Sequence, residues 1–140
     1  MPVYNPPLRD MQFVMHEVLN VSADFQTMPQ HAEMDADTIN AVLEEAGKFA
    51  SQVIFPLNIS GDTEGCKLDQ KTHEVTTPKG FKEAYKTYVD GGWAALSCDP
   101  AFGGQGLPLV VNQCLYEMMN SANQAWTMYP GLTHGAYASL

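Results

Sequence analysis

Basic residues are scarce in this sequence. Seven lysines and arginines stand against sixteen aspartates and glutamates, for a formal net charge of −9 at pH 7. A phosphate backbone is bound by clustered Lys and Arg, whereas these seven are spread from Arg9 to Lys86. Nucleic acid is therefore excluded as a partner, and an anionic membrane surface is disfavoured on the same ground. Cysteine is scarce too. Cys66, Cys98 and Cys114 are odd in number, widely spaced and form no C-x-x-C pair. Neither a disulfide framework nor a zinc site follows, and a reducing compartment, the cytoplasm, is the expected location. No apolar run approaches the ~20 residues that cross a bilayer, so no membrane span is expected. Pro2, Pro6, Pro7, Arg9 and Asp10 make the first stretch unlike a signal peptide.

What is present is an ordinary globular composition, 45% hydrophobic and 16% charged, carried on a helical period. Leu8, Met11, Val14, Met15, Val18 and Leu19 recur at three and four after Pro6-Pro7. Asn20 to Gln30 reads as a connector. Asp35 and Asp37 are good N-caps for a helix whose face runs Ile39, Val42, Leu43, Ala46, Phe49, Ala50, Val53, Ile54 and Leu57, with Pro56 bending or ending it. Ser60 to Thr77 is polar and reads as irregular, with a short hairpin near Lys67–Val75. Thr77-Pro78 opens a helix burying Phe81, Ala84, Tyr85, Tyr88 and Val89, which Gly91-Gly92 ends. The glycine- and proline-rich stretch to Pro108 is a structured loop. Beyond it, Val111, Cys114, Leu115, Met118, Ala122 and Ala125 share one helix face, and a last helix begins after Trp126. The pattern predicts an all-α fold of about five main helices, near 8–19, 37–57, 78–90, 108–124 and 128–140. Residues 1–34 form an extension and connector, and 35–140 the helical domain. Because no cap or polar tail closes the last helix, the polypeptide is expected to continue past Leu140.

Chemical motifs are weak. Gly103-Gly104-Gln105-Gly106 lacks the lysine and hydroxyl of a phosphate loop, because Leu107-Pro108 follow. A tight turn needing positive φ explains it better. His31, Glu33, Asp35 and Asp37 alternate, but an acidic cluster at a helix start accounts for the carboxylates without a metal. Glu117 sits among apolar face-formers, as a buried base would, although a solvated helix flank is the plainer reading. Met118-Met119, Trp126, Met128 and Tyr129 form a soft apolar patch that belongs to the core or lines a ligand cavity.

Three stretches resemble acyl-CoA dehydrogenases. Tyr4-Asn5-Pro6-Pro7-Leu8-Arg9-Asp10-Met11, with Phe13-Val14 and His16-Glu17-Val18-Leu19, is similar to the short extension of one subgroup, which includes the methylmercaptopropionyl-CoA dehydrogenases. Asn58 to Gly65 with Pro78-Lys79-Gly80-Phe81 resembles the link between the family's early helices. Gly92-Trp93-Ala94-Ala95-Leu96 running into Pro100-Ala101-Phe102-Gly103-Gly104-Gln105-Gly106-Leu107-Pro108 is the most specific match. The family often has tyrosine where Phe102 stands, and two acids where this chain has Tyr116-Glu117.

The resemblance implies the amino-terminal helical domain of a three-part enzyme that oxidises an acyl-CoA thioester to the 2,3-enoyl-CoA. It implies FAD in the full-length enzyme, an electron-transfer flavoprotein as partner and a homo-oligomeric assembly. Base and flavin cradle would lie in later domains, so no catalytic, cofactor or metal residue is expected in this piece. By position, Trp126 to His134 would wall the acyl cavity, with Tyr129, Leu132 and His134 as its substrate-binding residues. The alternative is a self-standing helical interaction module without activity.

Overall fold

A computed structural model describes residues 3–140. It is all-α apart from one small hairpin, in agreement with the periodicity. Helix α1, Leu8–Phe13, continues as a wider π turn over Val14–Val18, closed by Leu19 N–H donating to the Val14 carbonyl at 2.9 Å. Met11 and Met15, four apart, are its buried pair. Asn20 takes a left-handed φ of 51°, tolerated by asparagine, and the chain re-enters helix as α2, Val21–Gln26. That helix stands where a connector was expected. Only Val21 and Phe25 are buried on it, too few to register as a period.

Asp35 caps α3, Ala36–Lys48, by accepting from Thr38 N–H at 2.8 Å. Its face continues through a second π turn, Phe49–Ile54. The buried positions Ile39, Leu43, Ala46, Ala50 and Ile54 advance slightly more than 3.6 residues per turn, and the wider turn keeps Ile54 on the stripe. Pro56 bends the chain without ending it, because α4, Leu57–Glu64, follows directly. This replaces the irregular stretch expected from Ser60. Only Gly61 of α4 is buried, so the sequence shows no apolar face there.

The expected hairpin is present, with β1 (Lys67–Leu68) antiparallel to β2 (Val75–Thr76). Helix α5, Phe81–Asp90, starts after Gly80 (φ 87°), not at Pro78. Phe81, Ala84 and Tyr88 are buried as expected, whereas Val89 is exposed.

The loop before α6 spends its amides internally. Gly104 N–H donates to Asp99 O, Gln105 N–H to Ala95 O, and Gly106 N–H to Cys98 O. Helix α6, Leu109–Ala138, fuses the two last expected helices, with a break at Asn123 and no intervening loop.

α6 lies along α3, its π turn and α4, while α1 packs on α3. Met11, Met15, Val21 and Phe25 join the same apolar core as Leu43, Leu115 and Trp126. The extension is therefore built into the domain's core. Three ion pairs, Lys48–Glu45, Lys67–Glu64 and Lys86–Asp90, are exposed and add little stability. No helix among the described residues is long and apolar enough to cross a membrane.

A candidate apolar ligand cleft

The second half of α6 carries the candidate region, and Asn123 sets where it starts. With φ −161° and ψ 86°, Asn123 leaves the helical conformation, and its Oδ1 accepts from Trp126 N–H at 3.0 Å. This is an N-cap inside what reads as one long helix. Trp126 is fully buried, and its indole N–H donates to the Phe81 carbonyl at 3.2 Å. Its ring packs on Phe49, Tyr85 and Tyr88, with centroids 5.7, 6.3 and 5.6 Å away.

Between α5 and α6 this aromatic wall borders a cleft of about 360 Å³, lined by Thr77, Phe81, Lys82, Tyr85, Trp126 and Tyr129. Tyr129 stands edge-on to Phe81 at 6.1 Å, and its hydroxyl faces the Cys66 thiol at 3.5 Å. That contact, then burial, raises the Tyr129 pKa, so the phenol stays neutral at physiological pH. Lys82 is the sole charged side chain on the lining. Such a site suits an apolar chain.

His134 lies elsewhere, in a depression of about 180 Å³ with Tyr85, Tyr88, Cys98, Pro130 and Tyr137 among its walls. Its ring stacks near Tyr116 and Tyr137, at 5.7 and 6.3 Å. Burial pushes the Tyr88 hydroxyl far up, with Tyr116 adding to the effect, and burial also raises Tyr116. The Tyr137 hydroxyl accepts from Asp99 N–H at 2.9 Å, tying α6 to the glycine loop.

Leu132 is 73% exposed, beside a shallow hollow of about 150 Å³ with Met128 and Tyr116. The three residues expected to share one cavity thus front three different depressions, and only Tyr129 reaches the α5–α6 cleft. Phe81, Tyr85 and Lys82 were not singled out as site residues. The available signal was that Phe81 and Tyr85 are four apart on the face turned toward Trp126.

The remaining sequence candidates resolve simply. Glu117 is exposed on the flank of α6. Met118, Met119 and Trp126 are core with no exposure, leaving Met128, Tyr129 and Leu132 as the outward part of the patch. The glycine loop is a turn: Gly103 and Gly106 have φ of 83° and 67°. Among the described residues, no three of His, Cys, Asp and Glu gather as metal ligands.

No protein-family model matches the chain. It is 39% identical over 137 residues to the 3-methylmercaptopropionyl-CoA dehydrogenase of Ruegeria pomeroyi, covering 98% of this chain and 23% of that protein. It is 31% identical over 128 residues to the broad-specificity linear acyl-CoA dehydrogenase FadE5 of Mycobacterium tuberculosis, covering 91% of this chain and 21% of that protein. It is 31% identical over 130 residues to the butyryl-CoA dehydrogenase of Syntrophomonas wolfei, covering 92% of this chain and 21% of that protein. All three are acyl-CoA dehydrogenases, so the resemblance read from the residues holds across nearly the whole chain. The chain spans between a fifth and a quarter of the length of these relatives.

Proposed function

We propose that this chain is the amino-terminal helical domain of a longer flavin-dependent acyl-CoA dehydrogenase, and that it packs on a middle domain and closes the acyl cavity. The observation that carries the reading is the apolar cleft between α5 and α6, built by sequence homologous to acyl-CoA dehydrogenases. Its lining offers aromatic surface, a neutral phenol and one peripheral cation, which suits the tail of an acyl chain and no proton transfer. Tyr129 contacts the acyl tail. Leu132, one turn further on, faces outward toward the rest of the polypeptide, and His134 braces α6 from the other side.

FAD, the cofactor that the resemblance implies, does not fit these residues. A pyrophosphate needs free backbone N–H groups, and those of Gly103, Gly104, Gln105 and Gly106 are all bonded within their own loop. The flavin therefore belongs to polypeptide other than this. An electron-transfer flavoprotein as acceptor, a homo-oligomeric assembly and a cytoplasmic location form part of the same proposal. The exposed Met128 and Leu132 favour a second reading, a helical module that docks on a protein partner.

Expressing the chain with its adjoining coding sequence separates the two. The dehydrogenase reading expects a yellow protein that oxidises acyl-CoA thioesters, while the 140-residue chain alone is colourless and inactive. Stoichiometric flavin retained by this chain through gel filtration would overturn it. An adjoining sequence that encodes no flavoprotein would leave the docking module.

A further inference from the structure

We infer that Asn123 is a positioning residue that fixes the separation of the α5 and α6 walls of the cleft and thereby the length of apolar chain it accepts. The inference rests on the acyl-cleft reading given above. Two helices of this domain break at the same level, and Asn123 joins the breaks. On one side is the junction of the π turn with α4. There the Asn58 amide, the usual donor to Ile54, bonds to the Phe55 carbonyl instead, at 3.0 Å. The Ile54 carbonyl is left without a helical donor, and the Asn123 Nδ2 donates to it at 3.1 Å.

On the other side, the Asn123 Oδ1 starts the second half of α6 by accepting from Trp126 N–H. Asn123 is 1% exposed, so each of these groups would be a costly orphan if the other withdrew. Thr127 adds a third tie, its hydroxyl donating to the Asn123 carbonyl at 2.9 Å.

The consequence reaches the cleft through Trp126. The amide of Trp126 is held by Asn123, and its indole N–H is held by the first residue of α5, Phe81. Phe81, Trp126 and Tyr129 are cleft walls. With helical angles at position 123, the following segment would leave on a different axis and carry Trp126 and Tyr129 with it. The non-helical angles of Asn123 and its bridge to Ile54 therefore set the distance between the α5 and α6 walls. An ordinary helix cap needs only the Oδ1 acceptor. The buried Nδ2 bond to another helix is what makes this residue a spacer.

The test uses the chain itself, titrated with saturated fatty carboxylates from butanoate to hexadecanoate and read by the combined emission of Trp93 and Trp126. The wild type should show affinity rising with length up to a limit. Asn123→Ser keeps an acceptor for the Trp126 amide but cannot span to Ile54, so the limit should move. The affinity ratio between lengths on either side of it should change about tenfold or more, the scale of a one-methylene mismatch in an apolar pocket. Met118→Ala, a fully buried core change in the first half of α6 and away from the cleft walls, should lower the melting temperature and leave the length profile unchanged.

A wild-type length profile in Asn123→Ser, with only a lowered melting temperature, would overturn the inference and leave the cleft reading standing. Absence of binding by the wild type at every length would overturn both. Should the serine variant not fold, hydrogen exchange at the Trp126 amide of the wild type decides. A bound chain should slow it, and no change on saturation counts against the spacer role.

Discussion

Asp35 is the clearest case of one side chain fixing a local conformation. Its carboxylate accepts from the Thr38 amide at 2.8 Å, and hydrogen bonding to Thr38 holds its pKa below the usual carboxylate value. A lowered folded-state pKa means stability that is complete above the unfolded value and lost as pH falls through the folded one. Asp35→Asn keeps the cap without titrating. Urea unfolding from neutral to acid pH should therefore show the two proteins converging at neutral pH and the asparagine variant losing less in acid. Parallel acid limbs would mean the cap is not made.

Gly104 works by exclusion. A Cβ there would run into the Cys98 carbonyl, which is backbone and cannot swing aside. Gly104→Ala should cost more than about 1 kcal/mol, within the ordinary range for a substitution that overpacks its site, and denaturant midpoints measure it. A midpoint shift below that would show that the loop adapts.

At the scale of elements, legibility followed the number of buried side chains per turn. The faces of α3 and α5 repeat over several turns, and both were evident in the sequence, as was the hairpin from its polar Gly65 to Asp69 approach. Helix α4 was hidden because it buries only a glycine, and α2 because it buries two residues. The break at Asn123 was displaced to Trp126 in the sequence reading, since the cap is an asparagine whose partners, Ile54 and Trp126, are set by tertiary structure. For the same reason Tyr129 could be singled out from the sequence, while Phe81 and Tyr85, which border the same cleft, could not. Leu132 and His134 are close in sequence to Tyr129, yet a helix turns each onto another face.

The extension has its own test. A Cβ on Gly47 would stand 3.2 Å from the Pro6 side chain and 3.4 Å from that of Leu8, so a large side chain there would press on the start of α1. Gly47→Leu should lift the segment before α1 while keeping α3 helical, since leucine is a better helix former than glycine. Limited trypsin treatment should then cut after Arg9 faster than in the wild type. Equal rates would show that the extension is held elsewhere.

For the molecule as a whole, charge is distributed unevenly. After Glu117 the sequence contains no Asp, Glu, Lys or Arg, and this uncharged stretch carries the exposed Met128, Tyr129 and Leu132. The exposed apolar residues of the first helical segment, Phe13, Val14 and Val18, are interspersed with Arg9, Asp10 and Glu17 instead, which keep that face solvated. An apolar face without flanking charge tends to find a partner, so the chain in isolation should self-associate through the second half of α6. The net charge of −9 opposes association of identical copies, and salt screens that repulsion. Association should therefore strengthen as ionic strength rises, the reverse of an interface held by ion pairs. Met128→Asp with Leu132→Asp should abolish it without lowering the melting temperature, because both side chains are exposed. Met118→Ala, in the core, should instead cost about 2–5 kcal/mol of stability and leave the association interface intact. Sedimentation at low and high salt distinguishes the outcomes. A monomer at every ionic strength would refute the prediction, and association surviving the double aspartate variant but lost in Val18→Asp would move the interface to the first helical segment.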